Sequence, residues 1–274
     1  YPGFVCESMD LLQQWQQEAN RHTAIWVPSQ FCADVFKRGG VAVPIHVIRH
    51  GVEPEFRPMG FIRRGPMTFL LLNTVGHFSY RKGILEGMRA FHDAFGNGED
   101  VRLLLRSPAD PAIETQHAAL ADERIVLQEP SMASLDAEQM NWLYNHVHYY
   151  FSPSRGEGFA LPALESRAAG IPVLMTAWHG AKDHMQKGMD IEIPHSNSLC
   201  RIPISEEESG FAYDLDHDAM VAALRQAYSE YDQRSALAVA AAPRIAREWA
   251  WSRVLEPLVE LLRDGTVGAA RRAP

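Results

Sequence analysis

Short apolar runs alternate along the chain with stretches whose apolar residues recur at helical spacing. The runs predict strands at residues 25–27, 45–48, 69–72, 101–105, 125–127, 147–151 and 172–175. The periodic stretches predict helices at 83–95, 137–145, 162–169 and from 218 to about 263, and Ser29 is placed to cap a helix after the first strand. Strands that are apolar throughout and separated by helices predict a parallel α/β sheet with helices on both faces.

Residues 51–66 contain several prolines and glycines and are predicted to form a linker. About two strands and two helices precede it, which is too little for a complete doubly wound domain. We therefore expect the end of an N-terminal domain and its linker at 1–57, followed by one whole α/β domain at 58–250. Because residue 1 is not a methionine, we expect the chain to be part of a longer protein.

Composition narrows the class of protein. The formal net charge of -8 argues against a general nucleic-acid binder. The three cysteines are far apart, so neither a zinc ribbon nor a disulfide framework is predicted, and a reducing, cytoplasmic location fits. Because no apolar run is long enough to cross a bilayer, membrane association has no support in the sequence.

The candidate chemistry is concentrated between residues 151 and 165. The predicted strand at 147–151 is followed by a turn that contains Gly156 and Gly158, and Pro162 suits the first position of the next helix. Glu157 is then expected in the loop and Glu165 in the opening turn of that helix. Loops at the carboxyl ends of parallel strands form ligand crevices, and free N–H groups at helix starts attract phosphate.

Two carboxylates beside a phosphate would repel it unless each accepts hydrogen bonds from hydroxyl groups. A sugar nucleotide offers hydroxyls on both sides of its diphosphate, on the ribose and on the transferred sugar, and charge-assisted bonds to them are strong. The phosphate charge then needs a cation. Lys82 supplies one, since it follows the strand at 69–72 and precedes a helix that starts at the same edge of the sheet.

Glu157 and Glu165, embedded in Glu-Gly-Phe-x-Leu-Pro-x-Leu-Glu, resemble the E-x7-E motif of family 4 glycosyltransferases. The segment 75–83, with Gly76 and His77, resembles the diphosphate loop of that family, and the similarity extends over roughly residues 23–263. The resemblance implies a two-domain GT-B fold, of which 58–250 would be the Rossmann-like donor domain. The terminal helix at 251–274 would pack back toward the N-terminal portion.

The resemblance also implies a hexosyl-type, retaining transfer that needs no metal or cofactor, from a nucleotide diphosphate sugar to a saccharide, lipid or other hydroxyl acceptor. Glu165 would hold the ribose, whereas Glu157 and Lys82 would act at the sugar and the diphosphate. The implied donor-binding residues are Gly76, His77, Lys82, Gly158, Phe159, Ala160, Leu161 and Glu165. Two positions depart from the family pattern: His77 replaces an arginine, for which Arg81 is a substitute, and Ala160 replaces a frequent glycine.

One other reading remains open, that of a module that binds a nucleotide sugar without transferring it. A dinucleotide-dependent oxidoreductase would need Gly-x-Gly-x-x-Gly after the first strand, which is absent. Asp214 and Asp216 resemble a metal-binding Asp-x-Asp, but helix capping explains them better, and His179, His184 and His195 are expected in loops. Arg106 and residues 128–132 are expected to determine the identity of the donor.

Overall fold

A computed structural model describes residues 2–61, 63–73, 79–96, 98–128, 135–204 and 208–263. Its strands are β1 Ile25–Val27, β2 Ile45–Val47, β3 Met67–Leu72, β4 Val101–Arg106, β5 Ile125–Gln128, β6 Tyr149–Ser152, β7 Val173–Met175, β8 Ile191–Glu192, β9 His195–Pro203 and β10 Ser209–Leu215. Its α-helices are α1 Gln13–Ala19, α2 Gln30–Arg38, α3 Ile84–Ala94, α4 Pro111–Leu120, α5 Ala137–Asn145, α6 Leu161–Ala168, α7 His217–Ser229, α8 Tyr231–Glu248, α9 Trp251–Val254 and α10 Glu256–Arg263.

A six-stranded parallel sheet forms the centre of the larger part of the chain, in the order β5-β4-β3-β6-β7-β8. One buried apolar cluster includes residues of α3 and α7, and a second cluster includes residues of α5, α6 and α8. From β3, the strands β4 and β5 are added in turn toward one edge of the sheet. The chain then crosses back, and β6 pairs with the other side of β3. The predicted parallel α/β fold is confirmed, and the reversal between β3 and β6 creates a crevice at their carboxyl ends.

A smaller unit precedes this sheet. Strands β1 and β2 pair in parallel, and α2 packs with them around a separate buried cluster that contains Cys6 and Cys32. Ser29 caps α2 as predicted, because its side chain accepts a hydrogen bond from the N–H of Cys32 at 3.2 Å. The residues after α8 return to the segment that follows β2: Val52 forms a β-bridge with Ala250.

Several elements differ from the sequence prediction. β6 begins at Tyr149 rather than at 147, because the N–H of Val147 still bonds to Tyr144 at the end of α5. Helix α4 was missed because Ile113 is its one buried residue, which leaves little periodic signal. The β9–β10 hairpin was missed because β9 is mostly polar and partly exposed. The predicted long C-terminal helix is four helices, α7 to α10.

Candidate active site

The candidate site lies where the loops after β3 and β6 meet at the reversal of the sheet. Lys82 directly precedes Gly83, the residue that caps α3, and Glu157 lies in the loop between β6 and α6. Both side chains are largely buried, with 12% and 9% of their surface exposed. The Nζ of Lys82 lies 2.5 Å from Oε1 of Glu157, so two residues far apart in sequence form one ion pair in the crevice.

The charge of Glu157 is fixed by its neighbours. Burial alone would raise the pKa of this carboxyl, but Lys82 and then Arg81 outweigh burial and lower the pKa from 4.5 to about 2. Arg81 donates to the carbonyl of Gly156 at 2.7 Å and lies 3.7 Å from the second oxygen of Glu157. Glu157 is therefore an anion at neutral pH, held between two cations.

The N-terminal segment closes one side of this cluster. A Cβ atom on Gly156 would lie 2.0 Å from the carbonyl oxygen of Glu7, so the loop can take this position only with glycine. The Glu7 carboxylate lies 3.9 Å from Arg81. The smaller unit thus contributes an acidic side chain next to the loop that carries Glu157.

Glu165 occupies a different part of the crevice. It is the fifth residue of α6, so the prediction that it lies in the opening turn was wrong by about one position. The hydroxyl of the fully buried Tyr144 donates to Oε2 of Glu165 at 3.0 Å. Burial raises the pKa of Glu165, whereas the Tyr144 bond opposes the rise. Glu157 and Glu165 both also raise the pKa of buried Tyr150, after the larger effect of its burial.

The start of α6 is strained at one residue. Ala160 caps the helix in the left-handed region, at φ 65° and ψ 57°, which explains why a glycine would suit this position. Leu161 is the first helical residue, so Pro162 is the second rather than the predicted first. Gly158 and Gly180 are packed tightly against each other. A Cβ on Gly180 would lie 2.0 Å from the carbonyl oxygen of Gly158. The loop backbone at Gly158 is therefore in direct contact with the backbone of Gly180.

A buried polar network, not anticipated from the sequence, holds the same loop from behind. His184 Nε2 lies 2.5 Å from the carbonyl oxygen of Phe159, and its Nδ1 lies 2.5 Å from Arg167. Arg167 in turn donates to Asp190 at 2.7 Å, and neither of these two side chains is exposed. Burial, followed by Arg167, lowers the pKa of His184 to about 3, so the neutral ring accepts from Arg167 and donates to Phe159.

The histidines expected in loops differ in their positions. His179 is buried and its Nδ1 accepts from the N–H of Ala181 at 3.4 Å, which caps a 3-10 helix at Gly180–His184. His184 ends that helix, and His195 begins β9, so the loop prediction was wrong for both of them. The three histidines have no regular spacing in the sequence. Only the fold brings His184 to the 158–161 loop, where it bonds to Phe159.

The capping prediction at the second candidate motif is confirmed. Asp216 accepts from the N–H of Ala219 at 3.0 Å at the start of α7. Asp214 instead forms an ion pair with Arg155 at 2.9 Å. Within the described residues, no group of three or more His, Cys, Asp or Glu side chains is arranged to hold a metal ion.

Part of the predicted site cannot be described. Gly76 and His77 lie outside the described residues, as do residues 129–132 of the segment expected to determine donor identity. Arg106 and Gln128, at the ends of β4 and β5, line a cavity of about 530 Å³ at the same carboxyl edge of the sheet. Among the described residues, none of the helices has both the length and the hydrophobicity that a bilayer crossing requires.

The sheet order and the crevice at its reversal define a Rossmann-like α/β fold of the GT-B type. The family described as "Family 4 Glycosyltransferase in conflict systems" matches residues 33–258. The chain belongs to this family, and the predicted family 4 resemblance is confirmed.

Individual relatives are more distant. The chain is 32% identical over 128 residues to the D-inositol 3-phosphate glycosyltransferase of Corynebacterium urealyticum, a match that covers 46% of this chain and 26% of that protein. The chain thus spans about a quarter of the length of this curated relative.

Two solved structures have the same fold. Sucrose-phosphate synthase from Thermosynechococcus elongatus superposes with a TM-score of 0.71 at 18% identity, over 93% of this chain and 61% of that one. The pneumococcal O-GlcNAc transferase GtfA, solved with UDP and GlcNAc, gives 0.69 at 15% identity, over 96% and 51%. At these identities the likeness concerns the fold alone.

Proposed function

We propose that this chain is the donor-binding part of a glycosyltransferase that moves a sugar from a nucleotide diphosphate sugar to a hydroxyl acceptor with retention of configuration. The observation that carries the proposal is the buried pair of Lys82 and Glu157, which joins the loops after β3 and β6 in the crevice. The family match and the complex of GtfA with UDP and GlcNAc support a nucleotide-sugar donor.

The roles follow from what each side chain can offer. Lys82 next to the start of α3 provides a charge and a nearby helix N-terminus for the diphosphate. Glu165 is positioned by Tyr144 and accepts from the ribose hydroxyls. Glu157 and the backbone N–H groups of the 158–161 loop face the transferred sugar.

The proposed reaction breaks the bond between the anomeric carbon and a phosphate oxygen. Positive charge then develops on the sugar ring and negative charge on the departing diphosphate. Donors that are already fixed at that oxygen stabilise the transition state more than the ground state. Lys82 and the starts of α3 and α6 fill this role in a transfer that we propose to be independent of metal.

Calorimetric titration of UDP, GDP, ADP and dTDP into the chain tests the donor site directly. We expect one of the nucleotides to bind, and Lys82→Ala and Glu165→Ala each to weaken its binding about tenfold or more, because each removes a charge-assisted contact. Lys187→Ala and Glu123→Ala remove the same charges from exposed positions and serve as matched controls. Binding that is insensitive to both site variants would contradict the proposed site.

A binding module without transfer is the second candidate, because the chain spans only 26% of its curated relative. The two candidates differ in whether the bound donor is consumed. Release of nucleoside diphosphate from the matching nucleotide sugar, measured with and without sugar acceptors, separates them. Where turnover occurs, Lys82→Ala should reduce it about 100-fold, the scale of losing one oxyanion donor. Tight binding without any release would identify the module.

A further inference from the structure

A second cluster of cationic side chains lies at the opposite edge of the same sheet. Arg63, Arg64 and Arg102 line a cavity of about 400 Å³ together with Thr68 and His148. Thr68 and Arg102 are near the amino ends of β3 and β4, and His148 directly precedes β6. The candidate active site is at the carboxyl ends of β3 and β6, so the length of a six-residue strand, about 20 Å, separates the two sites.

The charged residues that line this cavity are all of one sign, positive. None of the residues that line it is acidic. Among the ion pairs formed by the described residues, none involves Arg63, Arg64 or Arg102. In a chain with a net charge of -8, three arginines that pair with no carboxylate of the described residues form a local positive potential in one cavity, which attracts anions.

Two donors in the cluster are already fixed in place. Nη1 of Arg63 donates to the hydroxyl of Tyr231 at 3.3 Å, and this bond holds the guanidinium in place. The Nε–H of Arg63 is buried and has no acceptor among the described residues. A buried donor without an acceptor is costly and calls for one. His148 Nδ1 accepts from the N–H of Thr68 at 3.0 Å, so the proton of the neutral ring is on Nε2, where it can be donated.

We propose that this cavity binds the phosphate group of a small anionic ligand, at a site separate from the donor site. Arginine forks match phosphate oxygens with pairs of parallel hydrogen bonds. Arg63, one of the residues that line the cavity, has a buried Nε–H that lacks an acceptor among the described residues. The cavity is larger than one phosphate and is of the size that small-molecule sites have, so it accommodates the remainder of a phosphorylated metabolite.

The test uses inorganic phosphate and ribose 5-phosphate as probes and Lys82→Ala as the starting protein, so that one of the two donor-site cations is absent and phosphate binding there is weakened. Calorimetry should show binding of both probes to this variant and no binding of ribose. Addition of the double substitution R64A/R102A should raise both dissociation constants about tenfold or more, since two charged donors are lost. The control R247A removes one exposed arginine, on α8, and should leave both constants unchanged.

A readout at the site itself completes the experiment. In protein labelled with ¹⁵N-histidine, phosphate should shift the Nε2 signal of His148, which His148→Asn identifies by its loss. Failure of the Lys82→Ala protein to bind phosphate would overturn the proposal. Equal losses in R64A/R102A and R247A, or an unmoved His148 signal at saturation, would also overturn it. Because Arg64, Arg102 and His148 all line this cavity and are remote from Lys82, these outcomes do not bear on the donor site.

Discussion

Replacement of Glu157 by glutamine tests the electrostatics of the candidate site most directly. Glutamine has nearly the shape of the protonated glutamic acid, so Glu157→Gln reproduces the neutral state of this residue at every pH. The side chain is 9% exposed and lies between Lys82 and Arg81. The substitution therefore leaves two cations in a closed site without their shared counter-charge.

The pKa of Glu157 gives the size of the stability that the substitution should remove. Its fall from 4.5 to about 2 on folding corresponds to about 3 kcal/mol of stability at neutral pH. Because the folded-state pKa is the lower one, this contribution is present above pH 4.5 and is lost as the pH falls toward 2. At pH 3 about half of it or less should remain.

Urea denaturation of the wild type and of Glu157→Gln, at pH 7 and at pH 3, measures the difference. We expect the variant to be less stable by about 3 kcal/mol at pH 7 and by about 1 kcal/mol at pH 3. Glu123→Gln, at an exposed position, should show neither loss. A variant as stable as the wild type at pH 7, or a deficit that does not change with pH, would refute the reasoning.

Three further results are expected. Asp190→Ala leaves the fully buried Arg167 without its carboxylate and should cost about 3–5 kcal/mol in urea denaturation; a loss below about 1 kcal/mol would contradict the buried pair. Tyr144→Phe should raise the pKa of Glu165, measured by ¹³C NMR, and weaken nucleoside diphosphate binding about tenfold; unchanged values would remove Tyr144 from the site. Ala121→Gly should raise the unfolding free energy by about 0.5–1 kcal/mol, because φ is 48° at this exposed residue; destabilisation would contradict it.

The candidate site could be predicted in part because its local signals are strong. Glycines and a proline between an apolar strand and a helix indicate a loop at the carboxyl end of a parallel strand, and this placed Glu157 and Lys82 at one edge of the sheet. That the two side chains form an ion pair follows only from the adjacency of β3 and β6. Strand order depends on how helices pack on both faces, and no local pattern encodes it.

Some residues around the site gave no readable signal. His184 and Arg167 are separated in sequence and have no regular spacing, yet they bond to each other behind the 158–161 loop. His184 also bonds to Phe159, and Arg167 to Asp190. The sequence predicted loop positions for the histidines, since they have no regular ligand spacing. Burial of such groups depends on partners that only the folded chain supplies.

The sequence alone determined the order of apolar strands and helices, the capping residues and the acidic pair with its spacing. Each of these depends on neighbours within a few turns of chain. Only the tertiary structure decided that Glu7 approaches Arg81, that Tyr144 bonds to Glu165 and that three arginines share a cavity at the far edge of the sheet. Charges and hydrogen bonds act through space, and the distances between distant residues are set by the packing of the whole chain.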